Sequence, residues 1–121
     1  MTGRIRRAED RVADIRQAIA NAAGDLGEMS KAQFLADGKT QRAVIESIIV
    51  IGEAANSVMR LAPSLEQRRV ETWRHLRDAY DMRILLTHEY FRVDAGVVWD
   101  TVHHDLPRLE RLLEGIGPDL A

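Results

Sequence analysis

Apolar residues recur along this chain at intervals of three and four almost from end to end, the spacing of one face of an α-helix. Ile5, Ala8, Val12, Ile15 and Ile19 form the first such stripe, long enough for a helix of about five turns, with Gly24 and Gly27 as its end. Ser30 fits the N-cap of a short segment reaching about Ala36, from which Phe34 and Leu35 plug the core. A second long helix is expected from about Thr40 to Leu61. Val44, Ile45, Ile48, Ile49, Ile51, Ala55, Val58 and Met59 cover much of its circumference, so it should be central, with neighbours on several sides. Gly52 in its middle costs about 1 kcal/mol of helix propensity relative to Ala, which close packing against another helix would explain.

Pro63 stops that helix, and Ser64 is placed to cap a short turn after it. A third long helix resumes near Val70–Trp73 and carries Leu76, Tyr80, Met82, Leu85 and Leu86. The last stripe is Val98, Val102, Leu106, Leu109, Leu113 and Ile116, with Asp94 as its N-cap and Gly115, Gly117 and Pro118 as its end. Pro107 inside it should kink the helix or mark a boundary. The pattern as a whole predicts an all-α protein: an antiparallel up-and-down bundle of four long helices plus a short one, in a single domain over residues 1–121.

Composition narrows the chemistry. The 121 residues include no cysteine, which excludes a disulfide framework, a thiol nucleophile and a Cys-ligated zinc or iron–sulfur site. Seventeen Lys and Arg against 19 Asp and Glu give a net charge of −2, which argues against a general nucleic-acid coat. It leaves room for an enzyme that meets RNA in a small basic cleft. The Arg-rich start resembles a transit peptide only superficially, because Glu9, Asp10 and Asp14 interrupt it and such peptides are acid-poor. The most apolar stretch is broken by Glu46 and Glu53 and is too short to span a bilayer. The expected location is the cytoplasm.

The informative segment is Met82–Asp94, which holds Arg83, Thr87, His88, Glu89, Tyr90 and Arg92. A guanidinium binds phosphate oxygens in a planar fork, an imidazole moves protons near neutral pH, and a phenol can donate, accept or be modified. Helix geometry constrains the set. Arg83 and Tyr90 are seven residues apart and share a face, but Arg83 and His88 are five apart, about 140° around the axis. On one straight helix they cannot converge on one phosphate. Either the helix breaks near Leu86–Thr87, or two copies of the segment meet across a dimer.

Arg83, His88 and Tyr90 fit the pattern Arg-x4-His-x-Tyr, and the chain resembles the HepT family of HEPN-domain ribonuclease toxins. The likeness extends to IGEAA at Ile51–Ala55, Trp73-Arg74 before the motif, Phe91 after it, Trp99, and DLPRLERLLE at Asp105–Glu114. The resemblance implies an all-helical homodimer with its motifs facing each other in a cleft. It implies cleavage of RNA without a metal or other cofactor, with His88 and Arg83 catalytic: His88 takes the 2′-OH proton, Arg83 stabilises charge on the phosphate, and a 2′,3′-cyclic phosphate results. It also implies an MntA-like nucleotidyltransferase antitoxin as partner, which uses Mg-ATP to transfer AMP to the motif tyrosine, here Tyr90. A phosphodiester there adds negative charge and bulk two residues from His88.

The position after the motif arginine is commonly polar in that family and is Ile84 here. Isoleucine cannot bond a phosphate or orient an imidazole. The second reading is therefore a catalytically weak or inactive helical dimer, serving as binding partner or substrate-binding subunit of a nucleotidyltransferase. A helical adaptor with no link to nucleotides has only composition behind it.

The remaining residues divide by position. Glu53 and Thr87 are expected to support the site, with Glu53 in a buried ion pair to an arginine such as Arg83. Arg74 and Arg77, before the motif, and Arg92, after it, are candidate RNA contacts. Arg4, Arg6, Arg7 and Arg11 read first as a solvated face balanced by Glu9, Asp10 and Asp14. The neighbours His103 and His104 diverge by about 100° on a helix and cannot share a metal, so no metal site is expected. His75 is expected at the surface, Tyr80 either in the core or in the cleft, and Trp73 and Trp99 as packing anchors.

Overall fold

The computed structural model describes residues 2–89 and 92–121, and every element in them is helical. Helix α1 (Thr2–Leu26) buries Ala8, Val12 and Ile15 of the expected stripe and leaves Ile5 and Ile19 half-buried; Ala18, Ala22 and Leu26 carry the buried face on to the helix end. It runs straight through Gly24 and ends at Gly27, whose φ of 54° closes the last turn in the left-handed region that glycine tolerates. Helix α2 (Lys31–Leu35) opens on a capping box in which Ser30 Oγ accepts from the Gln33 amide and the Gln33 side chain accepts from the Ser30 amide. Phe34 is fully buried, but Leu35 is 48% exposed. One residue further round so short a helix, Leu35 points away from the bundle, and only Phe34 is a plug.

Helix α3 (Gly38–Leu61) is the central element. Asp37 caps it through the Thr40 amide, and it packs against both α1 and α5. Pro63 follows its end, but Ser64 does not cap the short helix α4 (Leu65–Arg68); its hydroxyl donates to the backbone oxygen of Ala121 instead. Helix α5 (Val70–His88) lies along α3. Helix α6 (Ala95–Asp100) is capped by Asp94 Oδ1 on the Gly96 amide and continues through a π turn (Thr101–Asp105) into α7 (Leu106–Leu113). A 3-10 turn (Gly117–Leu120) ends the chain.

The π turn is where Pro107 makes itself felt. The Leu106 amide bonds back to Thr101 O, five residues away, and α7 starts immediately afterwards. A proline ring crowds the carbonyl four residues before it and cannot donate to it, so widening the preceding turn removes the clash without breaking the helix. The four long helices expected from periodicity are thus α1, α3, α5 and the composite α6–α7. Among the described residues the short elements are three, because α4 and the terminal 3-10 turn join α2.

The core lies between these helices, with Ile15, Phe34, Ile48, Ile51, Leu76, Leu86 and Leu113 fully or almost fully covered. Trp99 packs tilted against Phe34, ring centroids 5.6 Å apart, and Trp73 also lies against the core, so both tryptophans anchor packing as expected. Among the described residues no helix is long and apolar enough to cross a membrane.

Helices α3 and α5 approach each other closely at Gly52. A Cβ built on Gly52 would lie 2.2 Å from Arg83 Cβ and 2.7 Å from the Ala79 carbonyl oxygen. The glycine therefore exists for close approach, and its cost in helix propensity is offset by the contact it permits. Gly52→Ala should destabilise the fold by about 1–3 kcal/mol despite the better helix former, because backbone must move to admit the methyl. Urea unfolding monitored by circular dichroism measures this; an unchanged or raised midpoint would mean that the helices do not meet there.

A second outcome follows from the α3 cap. Hydrogen bonding to the backbone and hydroxyl of Thr40 holds the Asp37 carboxyl below its ordinary value of 3.8. A carboxyl depressed in the folded state stabilises above its unfolded pKa and ceases to do so as pH falls through its folded value. The melting-temperature gap between wild type and Asp37→Ala should thus be fully open near neutral pH and close below the usual carboxylate range. A gap that persists at pH 2 would assign the effect to something other than the charged cap.

Candidate active site on helix α5

Arg83 projects from α5 where that helix crosses Gly52. Its Nη2 donates to Glu53 Oε1 at 3.1 Å across the helix pair. The expected Arg83–Glu53 pair is therefore present, but it is not buried: the Arg83 side chain is 30% exposed and that of Glu53 is 59% exposed. The reason is positional. Gly52 faces α5, so the residue after it stands about 100° round the α3 axis, at the rim of the seam. A pair so open to water is worth at most about 1 kcal/mol, and its effect is on orientation more than on stability. The Arg83 Nε is buried with no hydrogen-bond partner among the described residues. The guanidinium is thus rooted at Nε and held at Nη2. Among the described residues Nη1 makes no hydrogen bond.

His88 is the last residue of α5 and is exposed. The helix is unbroken from Val70 to His88, so it does not bend near Leu86–Thr87 as one of the two sequence alternatives required. The 140° separation of Arg83 and His88 therefore stands within one chain. Thr87 does not serve the site through its hydroxyl: Oγ1 donates to the backbone oxygens of Arg83 at 3.0 Å and Ile84 at 3.1 Å. It secures the last turn that carries His88. Ile84 is half-buried and contributes no polar atom beside Arg83.

The other predicted positions separate. Arg74 and Arg77 lie exposed on α5, on the N-terminal side of Arg83, and Arg92 is exposed beyond the helix. Tyr90, the expected modification site, lies outside the described residues. Tyr80 is half-buried against the core and lines a surface groove. His75 is half-buried rather than a surface histidine, since it lines a hollow between α5 and the π turn. His103 stacks on Trp99 with centroids 3.8 Å apart, its Nδ1 donating to Trp99 O at 2.8 Å, and it is exposed like His104. Among the described residues no three of His, Asp and Glu gather where they could hold a metal ion.

Periodicity missed one feature. Leu85 on α5 and Val97 on α6 are 48% and 46% exposed and line an apolar groove of about 330 Å³ with Met82. The signal was available: Leu85 and Leu86 are adjacent, so on a helix they diverge by about 100° and cannot both face the same core.

Residues 8–116 match the family described as ribonuclease HepT-like. The "Probable ribonuclease HepT" of Thermococcus cleftensis is 37% identical over 110 residues, covering 88% of this chain and 92% of that protein. Proteins carrying RNase names in Methanocaldococcus jannaschii and Caldanaerobacter subterraneus are 31% identical over 93 residues and 30% over 83. Those matches cover 77% and 69% of this chain, and 73% and 70% of the relatives. No solved structure matches significantly. With almost its whole length matched and the Arg83–His88 motif intact on one helix, the chain belongs to the ribonuclease HepT-like family.

Proposed function

We propose that this protein is a metal-independent endoribonuclease whose site is assembled from two copies of α5 in a homodimer. Membership of a ribonuclease family supports the substrate class. The observation that carries the reading is the presentation of Arg83: rooted by the Gly52 crossing, held by Glu53 at Nη2, and without a hydrogen bond at Nη1 among the described residues. That is how a phosphate-binding arginine is preorganised before substrate arrives. Because α5 is straight, Arg83 and His88 of one chain point to different sides, and Arg83 of one copy would meet His88 of the other.

The chemistry is in-line attack within the RNA. His88 takes the proton of the ribose 2′-OH, and the 2′-oxygen bonds to phosphorus while Arg83 balances the charge gathering on the phosphate oxygens. The bond to the 5′-oxygen breaks, that oxygen takes up a proton, and a 2′,3′-cyclic phosphate remains. DNA lacks the 2′-OH and is not cut. In its cell the enzyme is the toxin of a pair. A nucleotidyltransferase antitoxin silences it by transferring AMP from Mg-ATP to Tyr90, releasing pyrophosphate and leaving a negative group beside His88.

Ile84 favours a second reading, a dimer that binds rather than cuts, since nothing polar stands beside Arg83 on that turn. Cleavage of total RNA in EDTA separates the two. Wild type should leave cyclic-phosphate ends, His88→Ala should lose about 10²–10⁴-fold in rate, and Arg83→Lys about 10²-fold because a point charge replaces a fork. A folded dimer that cuts neither total RNA nor tRNA assigns the binding role. Mixing Arg83→Ala with His88→Ala subunits should restore part of the activity, since heterodimers contain one intact composite site. No recovery after subunit exchange would place each site within a single chain.

A further inference from the structure

The outward stripe of α3 and that of α5 enclose a shallow groove that leads away from Arg83. On α3 the positions are Glu53, Asn56, Ser57 and Arg60, and on α5 they are Trp73, Arg77 and Tyr80, both sets at helical spacing. The groove between them holds about 280 Å³ and is lined by Asn56, Arg60, Trp73, Arg77, Tyr80 and Asp81. A second hollow of about 240 Å³ shares Arg60 and brings in Arg7, Arg11 and Asp10 from α1. Arg7, Arg60 and Arg77 make no ion pair among the described residues; Arg60 only donates to Ser57 Oγ at 3.3 Å, and Arg11 pairs with Asp14. The acids on this path are Asp10, Asp81 and Glu53, the last paired with Arg83. The balance is positive, although the chain as a whole carries −2.

We infer that this α3–α5 groove is the path of single-stranded RNA to the site, with Arg60 and Arg77 on the phosphates and Tyr80 as a stacking surface for a base. The inference rests on the ribonuclease reading above. Tyr80 and Trp73 are half-buried and packed against the core, so each presents a fixed ring at little entropic cost. Arginines alternating with aromatic rings suit a strand whose bases are splayed and whose backbone is charged. An acidic protein partner would use the arginines but leave the ring faces unexplained. Seven residues of α3 separate Glu53 from Arg60, a rise of about 10 Å. That is roughly three stacked nucleotide steps of ~3.4 Å. Asn56 lies between them with an amide that can donate and accept. Asn56 and Tyr80 at one end of the groove stand one helical turn from Glu53 and Arg83, so a strand lying in it would carry its next phosphate toward that guanidinium.

The test is binding of a fluorescein-labelled single-stranded RNA of mixed sequence, followed by anisotropy between about 50 and 200 mM salt. His88→Ala serves as parent so that nothing is cut. Adding Arg60→Ala and Arg77→Ala should weaken binding roughly tenfold or more and flatten the log–log salt slope by about 1.4, at ~0.7 per phosphate contact on a single strand. Tyr80→Leu keeps apolar bulk but removes the ring, and should weaken binding roughly tenfold with an unchanged slope. Arg111→Ala, an exposed arginine on α7, should change neither. Thermal melts of each variant exclude unfolding as the cause. Parent-like affinity and slope in the double arginine variant overturn the path, as does an equal loss in Arg111→Ala. If the unaltered protein cuts RNA and the same groove substitutions placed in it, with His88 intact, leave the cutting rate unchanged, only the path fails. If the parent binds no RNA, the ribonuclease reading fails with it.

Discussion

The contact on which the site depends is the approach of α3 to α5 at Gly52. With no side chain at that position, the Ala79 carbonyl and the root of Arg83 come within a distance that any Cβ would occupy. The consequence is mechanical. The stem of Arg83 is pressed against α3, its Nε is buried, and the guanidinium can leave the seam in few directions. An arginine on an open helix face has many rotamers to lose when it grips a phosphate. Here most of that loss is taken on folding, where the hydrophobic core offsets it.

Glu53 completes the arrangement through chemistry that is weak in stability terms. Its carboxylate stands in water and gains little from the pair with Arg83. What it supplies is direction, because it fixes one edge of the fork. The same exposure means that an anion of higher charge can compete for the guanidinium without removing a buried ion from its partner. A deeply buried pair would resist such exchange, since breaking it strands a charge in low dielectric.

The outer ties follow a similar logic. Arg16 with Glu110, Arg108 with Glu71, and Arg68 and Arg69 with Asp119 fasten α7 and the chain end to the bundle, all at least partly in solvent. The hydrogen bond from Arg108 holds the Glu71 carboxyl below its usual range. These pairs fix register more than they add stability; covering Leu106, Leu109 and Leu113 is what holds the helix down. The π turn lets that helix pass Pro107 without breaking, so one apolar stripe reaches from Val98 to Leu113.

Periodicity by itself determined that the chain is helical, where its long helices lie, and most of the residues of α3 and α7 that are buried, because a helix facing a core must repeat its apolar positions every three to four residues; on α1 it found Ala8, Val12 and Ile15 but not Ala18, Ala22 and Leu26. Local capping was equally legible at Ser30 and Asp94, where a short polar side chain meets free amides. The motif residues Arg83 and His88, and their resemblance to a ribonuclease family, were visible for the same reason: chemistry is carried by residue type and spacing. Tertiary structure decided the rest. Ser64 does not cap, because the chain end lies within reach of its hydroxyl. Leu35 and Leu85 face outward, because no neighbouring helix covers their side of the axis. Glu53 pairs with Arg83 in the open, because the crossing at Gly52 puts the next residue at the rim. Each of these depends on where a second element lies in space, and a one-dimensional pattern fixes a helix face without fixing what stands opposite it.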